Sequence, residues 1–136
     1  MTSTEFALQA VAARYAAGID RRDPELLRSA FHPKARLAIP AMDVVMEGHD
    51  QLPGVLQPLS QFEKTFHFLG NTRYDIDGDT ATGEVYCLAH HLKGGQILVS
   101  AIRYQDTYSR RDGEWRLDDR TVIIDWNHTA ATVAWS

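Results

Sequence analysis

The sequence is poor in cysteine and has no basic run or long apolar stretch; its one thiol is Cys87. A lone thiol forms no internal disulfide, which fits a reducing compartment. No apolar stretch approaches the roughly 18 residues of a membrane-crossing helix. The opening "MTSTEF" has neither the basic nor the apolar region of a secretory signal, so a cytoplasmic location is expected. Lysines and arginines are scattered, and the formal net charge is −4. That balance argues against a nucleic acid or an anionic membrane as partner. The chain also lacks HExxH, paired cysteines and a glycine-rich phosphate loop after a strand. A structural zinc site and a nucleotide cofactor are therefore not indicated, and no cofactor is expected.

What remains is an ordinary globular composition. The 136 residues, 44% hydrophobic and 24% charged, suit one domain over 1–136 with one sizeable core. Phe6, Leu8, Val11, Ala12, Tyr15 and Ile19 recur at helical spacing, and Thr2 with Glu5 matches a capping box before them. Asp23 followed by Pro24 starts a second helix. "KARLAIP" and "DVVMEG" read as short strands, and His49 to Phe66 as helix broken by Pro53, Gly54 and Pro58. Turn signals at Asp77-Gly78, Gly94-Gly95 and Asp112-Gly113 then separate β-rich runs of about a dozen residues. Strands that long must twist and coil. The expected class is α+β: a strongly curved, mostly antiparallel sheet over N-terminal helices, with a concave space for a small molecule.

The candidate chemistry begins in "YAAGIDRRDPELL". Asp23 is explained as a helix cap. Asp20 is not, because a carboxylate at a helix C-terminus faces partially negative carbonyls. It is either a solvated loop acid beside Arg21 and Arg22 or a group kept for chemistry. His67, flanked by Phe66 and Phe68, is either a satisfied core histidine or a catalyst. His32 and His49 sit in turn-like contexts and are expected at the surface. His90 and His91 are strand neighbours, so only one can face a pocket. Val85, Cys87, Ala89 and His91 share one face; Tyr86, Leu88 and His90 share the other. Arg120 shares a face with Val122, Ile124 and Trp126, where it either pairs a carboxylate or reaches an oxyanion. Arg103 falls on the outer face with Gln105. Asp20, His67 and His91 could alternatively hold a metal, although no metal is the favoured reading. Cys87 is poorly placed as a nucleophile with His91, roughly 13 Å along the strand at ~3.3 Å per residue.

The segments "RYAAGIDRRDPELLRSAF", "FHFLGNTRYDIDGDTATGEVYCLAHH" and "IRYQDTYSRRDGEWRLDDRTVIIDW" resemble the SnoaL-like branch of the nuclear-transport-factor-2-like superfamily. Within it the likeness is to scytalone dehydratase, hexachlorocyclohexane dehydrochlorinase and bile-acid 7-alpha-dehydratase. The resemblance implies a cone-shaped sheet over three N-terminal helices. It implies an Asp20–His67 dyad as general base, with Tyr15, His91 and Arg120 as further catalytic groups. Phe31, Phe66, Tyr86, Cys87, His90, Tyr104 and Trp126 are the expected substrate-binding residues. The implied activity is a cofactor-independent lyase, of dehydratase or elimination type, or an isomerase acting on a hydrophobic ring compound. The alternative is a ligand-binding or structural subunit of the same fold, such as a dioxygenase small subunit. A homo-oligomer is implied, a trimer before a dimer. Val133 and Trp135 are expected to close the pocket mouth or dock on a neighbour.

Overall fold

The computed structural model describes residues 1–132, so Val133 and Trp135 lie outside the described residues. The first helix, α1, spans Ser3–Asp20 and starts on the expected capping box. The Glu5 amide donates to Thr2 Oγ1 at 3.1 Å, and the Thr2 amide donates to Glu5 Oε2 at 3.4 Å. Leu8, Val11, Ala12, Tyr15 and Ile19 form its buried face. Phe6, expected among them, is instead 68% exposed. The second helix, α2, spans Pro24–Ser29. Asp23 Oδ1 caps it, accepting from the amides of Glu25 and Leu26, each at 3.1 Å.

Gly18 lets the two helices meet. A Cβ at this position would lie 2.7 Å from the Leu27 amide nitrogen and 2.8 Å from its Cα, both backbone atoms. The glycine that weakens α1 as an isolated helix is thus required where α2 crosses it.

Six strands follow: β1 (Phe31–Ile39), β2 (Val44–Glu47), β3 (Lys64–Asp77), β4 (Thr80–Lys93), β5 (Gln96–Arg111) and β6 (Glu114–Ala131). They form one sheet in the order β2-β1-β6-β5-β4-β3. Only β1 and β6 pair in parallel; the other neighbours are antiparallel. The turns expected from Gly94-Gly95 and Asp112-Gly113 are present, with φ of 58° and 77° in one and 52° and 78° in the other. Positive φ at both central positions matches the twist of a tight hairpin. Register shifts interrupt β3 between Leu69 and Thr72, and the β5–β6 pairing at two places. Such bulges bend long strands and add twist. The result is the expected α+β cone: a curved, unclosed, mostly antiparallel sheet packed over helices.

The connection between β2 and β3 corrects one expectation. Its broken helix consists of Gly48–Gln51, Leu52–Val55 and Leu56–Leu59, and β3 already begins at Lys64. Phe66 and His67 are therefore strand residues with opposite facings. The third helix implied by the resemblance is this broken connection, which follows β2 rather than preceding the sheet. His32 is also corrected: it is buried on β1, with Nε2 2.8 Å from the Ser109 carbonyl. No helix among the described residues is long and apolar enough to cross a membrane.

The contact at Gly18 gives a direct test of helix packing. Gly18→Ala should lower the unfolding free energy by about 1–3 kcal/mol through overpacking, although alanine is the better helix former. Urea denaturation should show a lower midpoint; an unchanged or higher midpoint would contradict the packing described.

Candidate active site

Asp20 is the last residue of α1, and its carboxylate points at the start of β3. Alternation along β3 turns Thr65, His67 and Leu69 inward and Phe66 and Phe68 outward. Three donors meet the carboxylate. His67 Nδ1 lies 2.7 Å from Oδ1, the Thr65 hydroxyl donates to Oδ1 at 2.9 Å, and the His67 amide donates to Oδ2 at 2.9 Å. Burial works against the charge on Asp20, but hydrogen bonds from the His67 ring and amide and from Thr65 outweigh it. They hold Asp20 below its ordinary range. A carboxylate can only accept, so Nδ1 of His67 carries the hydrogen. In the neutral ring Nε2 is then a free lone pair.

A cavity of about 530 Å³ opens beside this pair. His67, His91, Tyr15, Tyr104, Ser100 and Asn127 supply much of its polar wall, with Gln61 and Asp125. Ile19, Val55, Leu59, Phe62, Val122 and Ile124 supply much of the apolar remainder. The His67 and His91 rings stand edge to face, 6.1 Å between centroids, and Phe62 covers His91 at 4.9 Å. His91 Nδ1 is 3.2 Å from the Leu98 carbonyl, so this nitrogen donates and Nε2 of the neutral ring accepts. Burial pushes the His91 pKa down; the Leu98 carbonyl opposes this, and His67 reinforces it. Burial pushes the Tyr15 phenol up to about 12, so it stays protonated at neutral pH.

Arg120 resolves as the pairing arginine. It is fully buried, and its Nε and Nη2 donate to the two carboxylate oxygens of Asp106, each at 2.8 Å. Its Cζ lies 4.4 Å from the Tyr15 ring centre and 4.0 Å from that of Tyr104. Nη1 has no hydrogen-bond partner, and the two aromatic rings pack against the guanidinium. Arg120 does not line the cavity. It sits behind the two tyrosines that do, so its direct reach to an oxyanion is corrected to support of the cavity wall.

The other expected site residues divide between the two sides of the sheet. Tyr104 and Trp126 border the cavity. Trp126 is 55% exposed, because the register shift around Asp125 pairs it with Ala101 and breaks its alternation with Ile124. Phe66 and Tyr86 are 63% and 43% exposed on the outer face, which removes both from the expected pocket lining. His90 is also on the outer face, its Nδ1 3.0 Å from the Phe66 carbonyl. Phe31 is fully buried against Tyr15, and Cys87 is buried beneath Tyr104; neither borders the cavity. Arg103 lies on the outer face, as its parity required, paired with Asp125 and Glu84. Among the described residues no three His, Cys, Asp or Glu side chains converge to hold a metal ion. Thr65, Asp106, Ser100 and Phe62 were not singled out by sequence reasoning. Strand parity with His67 could have found Thr65, and parity with Tyr104 could have found Asp106.

The SnoaL-like domain family matches residues 2–121. The chain belongs to this family. It is 30% identical over 122 residues to an uncharacterized protein of Mycobacterium tuberculosis, covering 85% of this chain and 81% of the relative. It is 31% identical over 106 residues to hexachlorocyclohexane dehydrochlorinase 1 of Sphingobium indicum, covering 74% of this chain and 68% of that enzyme. A candidate scytalone dehydratase from Novosphingobium aromaticivorans superposes with a TM-score of 0.82 at 21% identity, over 98% of this chain and 90% of the other. At that identity the likeness shows the SnoaL-like fold. Family membership with such relatives supports a lyase- or isomerase-type enzyme with a small-molecule substrate.

The Asp106–Arg120 pair yields a stability test. Asp106→Ala leaves a fully buried guanidinium without its counter-charge and should cost about 3–5 kcal/mol. Urea denaturation should show that loss, and Asp106→Ala with Arg120→Met should recover part of it. A loss within ~0.5 kcal/mol for Asp106→Ala alone would contradict the pairing.

Proposed function

We propose that the protein is a cofactor-independent lyase of the dehydratase or elimination type, or an isomerase in which the same abstracted proton is returned at another carbon and no leaving group departs. Its substrate is a hydrophobic ring compound, and Asp20 and His67 are the general-base dyad. The observation that carries this reading is the 2.7 Å contact between Asp20 Oδ1 and His67 Nδ1 beside an otherwise largely apolar cavity. His67 Nε2 takes a proton from a carbon next to a carbonyl or phenol-like group. The C–H electron pair moves into the new double bond as the leaving group departs with its own bonding pair. Asp20 stabilises the imidazolium that forms and holds its tautomer.

The remaining groups divide by protonation state. Neutral His91 offers Nε2 as an acceptor, which orients a substrate hydroxyl. Tyr15 is a protonated phenol and supplies a proton to a departing oxygen. Tyr104, braced by Arg120, completes the polar wall. Trp126 covers one edge of the ring. The outer face exposes Phe66, Phe68, Tyr86 and Leu88, which supports a homo-oligomer with these side chains covered, a trimer by resemblance. A cytoplasmic enzyme acting alone on its substrate is the matching biological setting.

The test is a screen of hydroxylated and halogenated ring compounds for elimination, followed by Asp20→Asn and His67→Ala on any substrate found. Each variant should fold and lose about 10²–10⁴-fold in turnover. A folded variant of either kind with full turnover would remove the dyad. Binding of ring compounds with no conversion would instead favour a ligand-binding member of the family.

A further inference from the structure

Arg22 occupies a backbone position better suited to glycine. Past the end of α1, the Asp23 amide donates to the Gly18 carbonyl at 2.9 Å and the Arg22 amide to the Ile19 carbonyl at 3.2 Å. This pair of bonds is the Schellman closure, whose left-handed residue is usually glycine. Here it is Arg22, with φ of 53°. An arginine in that conformation is disfavoured by its Cβ. The backbone alone gives no reason for it.

The side chain does. Arg22 Nη1 donates to the Ile19 carbonyl at 3.0 Å and to Thr65 Oγ1 at 3.1 Å. Its Nη2 donates to the carbonyls of Leu59 at 3.0 Å and Phe62 at 3.4 Å. The bond to Thr65 matters most. A hydroxyl has one hydrogen and two lone pairs. With Arg22 donating to the oxygen, the hydrogen of Thr65 is left to point at Asp20 Oδ1, 2.9 Å away. The same Oδ1 accepts from His67 Nδ1. Donors therefore run in one direction, from the guanidinium through the hydroxyl to the carboxylate that holds the histidine. The other bonds of Arg22 fix Ile19, Leu59 and Phe62, three residues of the cavity wall.

We infer that Arg22 is a positioning residue for the dyad: through the Thr65 hydroxyl it sets the orientation of Asp20 and so the hydrogen bond at His67 Nδ1. This inference rests on the dyad reading for its meaning, but its test requires no turnover. The probe is the His67 Nδ1–H proton in protein labelled with ¹⁵N-histidine, followed by NMR for its exchange with water. Arg22→Gly relieves the left-handed strain, so it preserves the fold while deleting the guanidinium. Thr65→Val removes the hydroxyl and leaves the carbonyl contacts of Arg22 in place.

Each variant should speed exchange of the Nδ1 proton by ~10-fold, as for loss of one charge-assisted hydrogen bond. Thr65→Ser, which keeps the hydroxyl, should exchange near the wild-type rate. Arg22→Gly placed on Thr65→Val should add little. Wild-type exchange in folded Arg22→Gly or Thr65→Val would overturn the inference, whatever happens to thermal stability. A full additional effect of Arg22→Gly in the Thr65→Val background would overturn it as well, because Arg22 would then act elsewhere.

Discussion

The carboxylate of Asp20 ends a helix whose last carbonyls already carry partial negative charge, and it is held there by three hydrogen-bond donors. Two of those donors belong to His67 and one to Thr65, so the helix end and the inner face of β3 must form together. The arrangement answers the electrostatic misfit without a cation bonded to Asp20 itself. The nearby positive charge of Arg22 acts one step removed, on the Ile19 carbonyl and the Thr65 hydroxyl. A carboxylate placed against its local helix preference is thus stabilised by tertiary partners. The same partners give His67 a defined tautomer.

Strand alternation and its interruptions decide which side chains share the cavity with this pair. An unbroken period of two carries Val85, Cys87, Ala89 and His91 along the concave face of β4, and His91 arrives opposite His67. On β6 the same rule holds from Arg120 to Ile124 and fails at Asp125, where the register shifts. Behind the wall, Asp106 and Arg120 form a fully buried ion pair flanked by the rings of Tyr15 and Tyr104. Such a pair gives little net stability over an apolar core, but losing one partner is expensive. Its position ties β5 and β6 to α1 directly beneath the cavity.

Much of this was legible in the sequence because the signals were local. The capping box at Thr2, the Asp23-Pro24 start and the paired hairpin turns each depend on adjacent residues and short-range sterics. Parity on one uninterrupted strand allowed only one of His90 and His91 to face inward, the resemblance pointed to His91, and the cavity is lined by His91. The errors arose where local reading met a boundary. Placing His67 at a helix-to-strand junction left its parity undefined, so Phe66 entered the expected lining although neighbours on a strand cannot both face inward. Trp126 borders the cavity as expected, but the face it was read to share with Ile124 ends at a bulge that no residue type announces. Arg120 was recognised as needing a carboxylate, but Asp106 is on another strand and the pairing is a tertiary fact. Arg22 entered the sequence reading only as a neighbour of Asp20, because its four acceptors come from three separate segments.

The central claim is that, in the neutral ring of His67, Asp20 holds the proton on Nδ1 and leaves Nε2 bare. Long-range ¹H–¹⁵N NMR of ¹⁵N-histidine-labelled protein, recorded above the histidine titration range, reads that tautomer directly. The account predicts a protonated Nδ1 and a bare Nε2 for His67, with this assignment weakened in Asp20→Asn. A His67 ring protonated on Nε2 in the wild-type protein would contradict it.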